Sequence, residues 1–222
     1  MGTWHIARGA RPGTKLRHTR LPFSTRAAQL AALEIDRLAE EGRVFWYEDE
    51  VPHDLDICPS TLIVKMERSR LVHDWTRAGL NEFLVNPPTE YDTIDTLVSA
   101  LRPNGFIAGL DIKDCFLHWP VDADSRRRLG VRHPLSNKRG VYLFLPPGLA
   151  SAPGWNEQDV GEIVRVATLD MPILVARFVD DLRIVNNTSI GIEQDEQVLN
   201  LQLHTLKLVL EQLGMKSRSK PG

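Results

Sequence analysis

A chain of 222 residues, 42% of them hydrophobic and 25% charged, has room for one large domain or two small ones with a filled core, which excludes a solvated tail. The formal net charge of −2 neither demands nor excludes a polyanionic partner. No stretch reaches the roughly 18 consecutive apolar residues of a membrane span, no apolar signal core opens the chain, and the two cysteines form no CxxC pair or disulfide framework; these predict an intracellular protein, cytoplasmic or nuclear, neither secreted nor in a membrane.

Residues 1–23 read as a basic arm: Arg8, Arg11, Lys15, Arg17 and Arg20 have no acid among them. That pattern fits a phosphate-contacting arm, a solvated terminus or an organelle transit peptide. Ser24 to about Arg43 predicts a helix, capped by Ser24 or Thr25 and ended by Gly42. The loop that follows is acidic and carries Pro52 and Pro59. TLIVK (61–65) and RLVH (70–73) predict a hairpin turning over Met66–Ser69, with Lys65 and Arg70 flanking the turn.

Pro87 and Pro88 break the chain before a predicted helix at Thr93–Leu101, and Asn104-Gly105 turns into FIAGLDI (106–112). That apolar run suits a strand buried on both faces, yet it carries Asp111 near its end. A basic cluster at Arg126, Arg127, Arg128, Arg132, Lys138 and Arg139 is opposite in sign to the acidic segment 34–56. VYLFL (141–145) predicts a strand halted by Pro146, Pro147 and Gly148, and Ser151 to about Ala167 a helix with Trp155, Val160, Ile163 and Val164 inward. ILVARFVDDLRIV (173–185) predicts two antiparallel strands joined at Asp180-Asp181. Leu199, Leu203, Leu206, Leu210 and Leu213 alternate spacings of four and three, a core-packing helix closed by Gly214.

Asp111, Asp180 and Asp181 are the acids most at odds with their apolar surroundings. Carboxylates buried near one another cost several kcal/mol unless cations neutralise them. Three acids converging on adjacent strand ends would make an oxygen-ligand site for hard divalent ions such as magnesium. An Asp-Asp pair alone is more often a turn; the apolar flanks and Asp111 favour the metal reading.

On these residues a family resemblance rests. FVDD (178–181) resembles the YxDD box of reverse transcriptases, and DIKDCF (111–116) their first palm motif. LPPGLASAP (145–153) is similar to the segment between those boxes, and STLIVKMERSRLVHDWTRAGLN (60–81) to the fingers segment that closes on LN. The four occur in the family's order, and their flavour resembles long-terminal-repeat or tyrosine-recombinase retrotransposons. The resemblance implies an α+β right-hand polymerase: a fingers-like region at 24–104, then a palm-like region at 105–222, with fingers elements partly interleaved. The palm is expected to have a small antiparallel sheet with helices on one face, and the chain to stop before a primer grip and thumb.

The implied activity is template-directed nucleotidyl transfer by an RNA-directed DNA polymerase of a retroelement, using two Mg2+ ions, or Mn2+. Its partners would be an RNA or DNA template with primer and deoxynucleoside triphosphates, together with further polyprotein domains or a partner chain. By the resemblance, Asp111, Asp180 and Asp181 are the catalytic metal-binding acids, with the Ile112 carbonyl as a backbone ligand. Lys65 and Arg70 hold the triphosphate, Asp114 and Cys115 meet triphosphate and sugar, Phe116 is the gate against a ribose 2′-hydroxyl, and Gly148 admits the nucleotide. Lys216 or Lys220 matches a general acid toward pyrophosphate. Phe178 and Pro147 depart from the family's pattern.

Two alternatives remain: a viral-type RNA polymerase, against which Phe116 argues, and a truncated, non-catalytic retroelement relic that at most binds nucleic acid or a partner chain. The seven histidines are scattered, and neither a G-x-S-x-G elbow nor a Walker A loop occurs, which leaves hydrolase and nucleotide-switch functions unsupported.

Overall fold

The computed structural model describes residues 25–64, 69–102, 105–186 and 192–220. The basic arm, Ser24, Lys65 with most of its turn, and Asn104 therefore lie outside the described residues. In chain order the elements are helix α1 (Thr25–Glu40), strands β1 (Val44–Trp46), β2 (Ser60–Val64) and β3 (Ser69–His73), helices α2 (Trp75–Ala78) and α3 (Ile94–Ala100) and strand β4 (Ile107–Ile112). Helix α4 (Ala123–Arg126), strands β5 (Gly130–Arg132) and β6 (Arg139–Tyr142), helix α5 (Ala152–Ala167), strands β7 (Ile173–Phe178) and β8 (Asp181–Asn186), helix α6 (Ile192–Gln212) and strand β9 (Ser217–Lys220) complete the order. The class is mixed α+β with small antiparallel sheets. Two compact units form: one takes in the chain up to Pro87 together with Trp119–Ala152, the other Pro88–His118 together with the chain from Pro153 onward.

In the first unit, α1 buries Ala28, Ala31, Ala32, Ile35 and Leu38, one helical face, and packs on β1, β2 and β3. It ends at Gly42 as the sequence predicts: the Arg43 N–H returns to the Leu38 carbonyl at 2.7 Å and the Gly42 N–H to Ala39 at 2.9 Å. Strands β2 and β3 pair antiparallel from Ser60↔His73 to Val64↔Ser69, and β1, β6 and β5 form a separate three-stranded sheet in that order. Buried His73 ties hairpin to sheet, with Nδ1 at 2.7 Å from Ser60 Oγ and Nε2 at 2.8 Å from Tyr142 Oη.

The opposite charges of segments 34–56 and 126–139 meet within this unit. Arg128 reaches Asp56 at 2.6 Å, Arg127 reaches Asp54 at 3.1 Å, Lys138 reaches Glu48 at 3.2 Å and His133 lies 3.2 Å from Asp36. Exposed pairs of this kind add little stability; Arg128–Asp56, the most enclosed of the four, fixes the acidic loop against β5.

In the second unit the sheet order is β7-β8-β4-β9, all antiparallel. β4 is a central strand with a neighbour on each side; Leu110 and Ile112, with Leu182 and Ile184 of β8, are fully buried, each stabilising by about 1.5–3 kcal/mol, whereas Ile107 and Asp111 on the other face are half-buried, so the apolar run is not covered on both faces as it predicts. α6 lies against β8, β4 and β9 with Leu199, Leu206 and Leu210 buried, whereas Leu213 falls beyond the helix and is exposed. The left-handed φ of 79° at Gly214 lets the Met215 N–H return to the Leu210 carbonyl at 2.9 Å, so the chain reverses into β9. β9, the polar run Ser-Arg-Ser-Lys, has no hydrophobic signature and is defined only by its pairing with β4.

Candidate active site

The Asp-Asp pair sits where its apolar flanks predict, at the tip of the β7–β8 hairpin. Phe178 pairs with Asp181 and the turn between them is Val179-Asp180. A two-residue hairpin turn requires positive φ, and Val179 supplies it at 59°, a left-handed conformation that costs a β-branched residue about 1–3 kcal/mol. Two hydrogen bonds hold it there: Asn156 Nδ2 donates to the Val179 carbonyl at 2.9 Å, and the buried Cys115 thiol donates to Asn156 Oδ1 at 3.0 Å. Across the ladder Asp111 is the direct partner of Asp181, and the Ile112 N–H donates to the Asp180 carbonyl at 2.9 Å. Asp111 and Asp181 are half-buried and Asp180 is exposed.

Arginines accompany two of the acids. Arg218 on β9, opposite Asp111 in register, donates to Asp111 Oδ2 at 3.0 Å, and Arg183 donates to Asp181 Oδ2 at 3.1 Å. The resemblance pointed to Lys216 or Lys220 here; Lys216 gives its carbonyl to the Lys113 N–H at 2.8 Å beside the acids, and Lys220 pairs with Gly109. Arg218, midway between those lysines, bonds Asp111, a partner that the register of β9 decides.

After β4 the chain turns through Asp114, φ 51°, into a 3-10 turn at Cys115–His118. The Leu117 N–H closes on the Asp114 carbonyl at 2.8 Å, and His118 Nε2 lies 2.9 Å from the Lys113 carbonyl. Phe116 is half-buried. Cys115 is buried, and that burial pushes its thiol up to about 12, so it serves as a hydrogen-bond donor and not as a nucleophile.

Arg177, one pair below the tip, anchors the hairpin. Its guanidinium lies 2.9 Å from the buried Glu157 carboxylate and packs against Gly161, while its N–H donates to Asp92 Oδ2 at 2.9 Å. Burial raises the Glu157 carboxyl above the usual range, with Arg177 opposing the shift. Beside this pair opens a cavity of about 580 Å³ lined by Glu90, Gln158 and Arg165 among others, and the exposed Phe178 ring packs at a 44° tilt against Tyr91 with centroids 5.0 Å apart.

The first unit holds the other expected residues. Arg70 is exposed on β3 opposite Ile63; Lys65 lies outside the described residues. Gly148 has φ 93°, and a Cβ there would come within 3.1 Å of the His73 carbonyl. Asn81, last residue of the LN pair, grips this loop twice: its Nδ2 donates to the Gly148 carbonyl at 3.1 Å and its Oδ1 accepts the Ala150 N–H at 2.9 Å. Trp75 Nε1 adds a bond to the Pro147 carbonyl at 3.0 Å. Two of the four quoted motifs are therefore bonded to one another.

Among the described residues no group of three or more His, Cys, Asp or Glu side chains is gathered as a ready-made metal centre. What the structure presents is one facing pair, Asp111 and Asp181, with Asp180 on the adjoining turn. These are oxygen donors of the kind hard divalent ions take, and in that respect the residues fit. No helix among the described residues is long and apolar enough to cross a membrane. Compared with models of known protein families and with curated proteins, the chain finds no match.

Proposed function

We propose that the chain is the fingers and palm portion of a reverse transcriptase, catalysing template-directed transfer of deoxynucleotides to a primer 3′-hydroxyl. The observation that carries this reading is the register Asp111↔Asp181, which sets the strand acid of the first motif opposite an acid of the hairpin-tip pair. In this reading the second unit is the palm and the first the fingers.

Asp111, Asp180, Asp181 and the Ile112 carbonyl would hold two Mg2+ ions. Bound there, such ions lower the pKa of an attacking hydroxyl and neutralise charge on a leaving pyrophosphate. The chain's own groups do the rest. The rigid β4–β8 ladder holds the acids in fixed register. Half-buried Phe116, five residues after Asp111, presents a ring against a ribose 2′-hydroxyl. Arg70, exposed on β3, and Lys65 are the cations for the triphosphate. Asp114 and Cys115, on the turn after β4, bring backbone toward triphosphate and sugar, and the Gly148 loop, pinned by Asn81 and Trp75, offers backbone to the nucleotide.

Primer extension on an RNA template with magnesium tests the reading: deoxynucleotides are incorporated and ribonucleotides refused, and Phe116→Ala relaxes that refusal. Equal use of both nucleotide types by the unaltered chain would favour an RNA polymerase. A second reading, a non-catalytic nucleic-acid-binding relic, is favoured by the arginines on Asp111 and Asp181. Salt-dependent binding of primer-template without extension in either Mg2+ or Mn2+ would decide for it.

A further inference from the structure

Asn156 has a place in the second unit that its type alone would not predict. It is fully buried on α5, in line with Ala152, Val160 and Val164, all buried at intervals of four, and it is the one polar residue of that stripe. Its amide joins two chain segments: Nδ2 donates to the Val179 carbonyl at 2.9 Å, and Oδ1 accepts the Cys115 thiol at 3.0 Å. The first segment is the turn carrying Asp180 and Asp181; the second follows directly from Asp111–Asp114. Cys115 Sγ also lies 3.9 Å from the Val179 carbonyl, so the three groups form a closed triangle.

We propose that Asn156 is a positioning residue that sets the acid turn against β4. Val179 is non-glycine and β-branched with φ 59°, so the turn does not hold this conformation by intrinsic preference. One side of it is fixed by the Ile112 N–H on the Asp180 carbonyl; the other is fixed by Asn156 on the carbonyl one residue earlier. A side-chain amide is the group of this size that donates and accepts at once; leucine has the volume and neither function. Losing Asn156 leaves the half-buried Val179 carbonyl without that donor, and the turn can relax away from β4. The assignment of the acids as ion ligands rests on the reading given above; the positioning of the turn does not.

The test uses the full chain, unaltered and as Asn156→Leu, with Cys115→Ala as the milder variant that removes the thiol's two sides of the triangle and keeps the Asn156–Val179 bond. Amide exchange followed by NMR reports the turn through Ile112, whose N–H bonds the Asp180 carbonyl, and the α6 core through Leu206. Mn2+ affinity is read in parallel from the free-ion paramagnetic resonance signal. Asn156→Leu is expected to speed Ile112 exchange by about tenfold or more with Leu206 unchanged, and to weaken Mn2+ binding by a similar factor. Cys115→Ala should give a smaller, equally local effect. Ile112 exchange that stays at the unaltered rate, or that rises together with Leu206, overturns the positioning role. If the unaltered chain binds no Mn2+ while Asn156→Leu still frees Ile112 locally, the positioning stands and the polymerase reading fails.

Discussion

Asp111 and Asp181 stand directly opposite one another in the β4–β8 ladder, and each accepts a hydrogen bond from an arginine, Arg218 at 3.0 Å and Arg183 at 3.1 Å. Like charges directly opposed in an antiparallel pair repel, so the arginines offset a cost that a divalent ion would offset more fully. Arg218→Ala should therefore lower stability in urea melts by about 0.5–1 kcal/mol without divalent ions. Millimolar Mg2+ should restore the loss and stabilise this variant more than the unaltered chain. Equal stabilisation of both would mean that Arg218 and the ion do not compete for Asp111.

The loop at Gly148 depends on one glycine and one amide. Gly148→Ala forces a Cβ onto a left-handed backbone facing the His73 carbonyl, and Asn81→Ala removes both bonds that pin the loop. Each is expected to destabilise by about 1–2 kcal/mol in equilibrium unfolding, and the double variant by less than the sum, because the two residues share a contact. Full additivity would show that Asn81 does not act through the Gly148 loop.

His73 makes acid destabilising. Complete burial lowers its pKa from 6.5 to about 4, so the folded protein resists a proton that the unfolded chain accepts. Its contribution is fully present above pH 6.5 and is lost as pH falls from there toward 4, amounting at the acid end to roughly 3 kcal/mol. His73→Gln should lower stability at pH 7 by weakening the Ser60–His73–Tyr142 chain, and should flatten the slope of unfolding free energy between pH 6.5 and 4.5. An unchanged slope contradicts this origin.

Asp159 acts with the opposite sign. Burial raises its carboxyl to about 6, so the folded form holds a proton more tightly than the unfolded chain, and stability is lost as pH rises through the interval from about 4 to about 6. Asp159→Asn is expected to raise the unfolding midpoint at pH 7.5 and leave it unchanged at pH 4. A stabilisation equal at both pH values would point to packing, not charge.

Legibility in the sequence followed the range of the interactions. The hairpin with Asp180-Asp181 at its tip, the buried strand ending near Asp111 and the leucine-spaced α6 all announce themselves by local periodicity, and they stand where it puts them. What escaped was set at a distance. β9 carries no apolar pattern and exists because β4 has an open edge, so Arg218 could not be assigned to Asp111. The basic run from Arg126 to Arg139 and the acidic segment 34–56 read only as opposite charges on different segments; that they pair, through Asp54, Asp56 and Glu48, is set by the fold. Asn156 was passed over for its polar type, although its spacing of four from Val160 and eight from Val164 placed it on the inward stripe; Trp155 and Ile163, expected inward, are only half-buried.

The account turns on whether the acids at the hairpin tip perform chemistry. The most direct measurement is single-nucleotide primer extension by the 222-residue chain with Mg2+, compared with Asp180→Asn at matched folding, judged by unfolding midpoint. Extension that falls by about a hundredfold or more in the variant, with primer-template binding retained, is the predicted result. Extension that persists in Asp180→Asn, or none by the unaltered chain in either Mg2+ or Mn2+ despite tight primer-template binding, would contradict it.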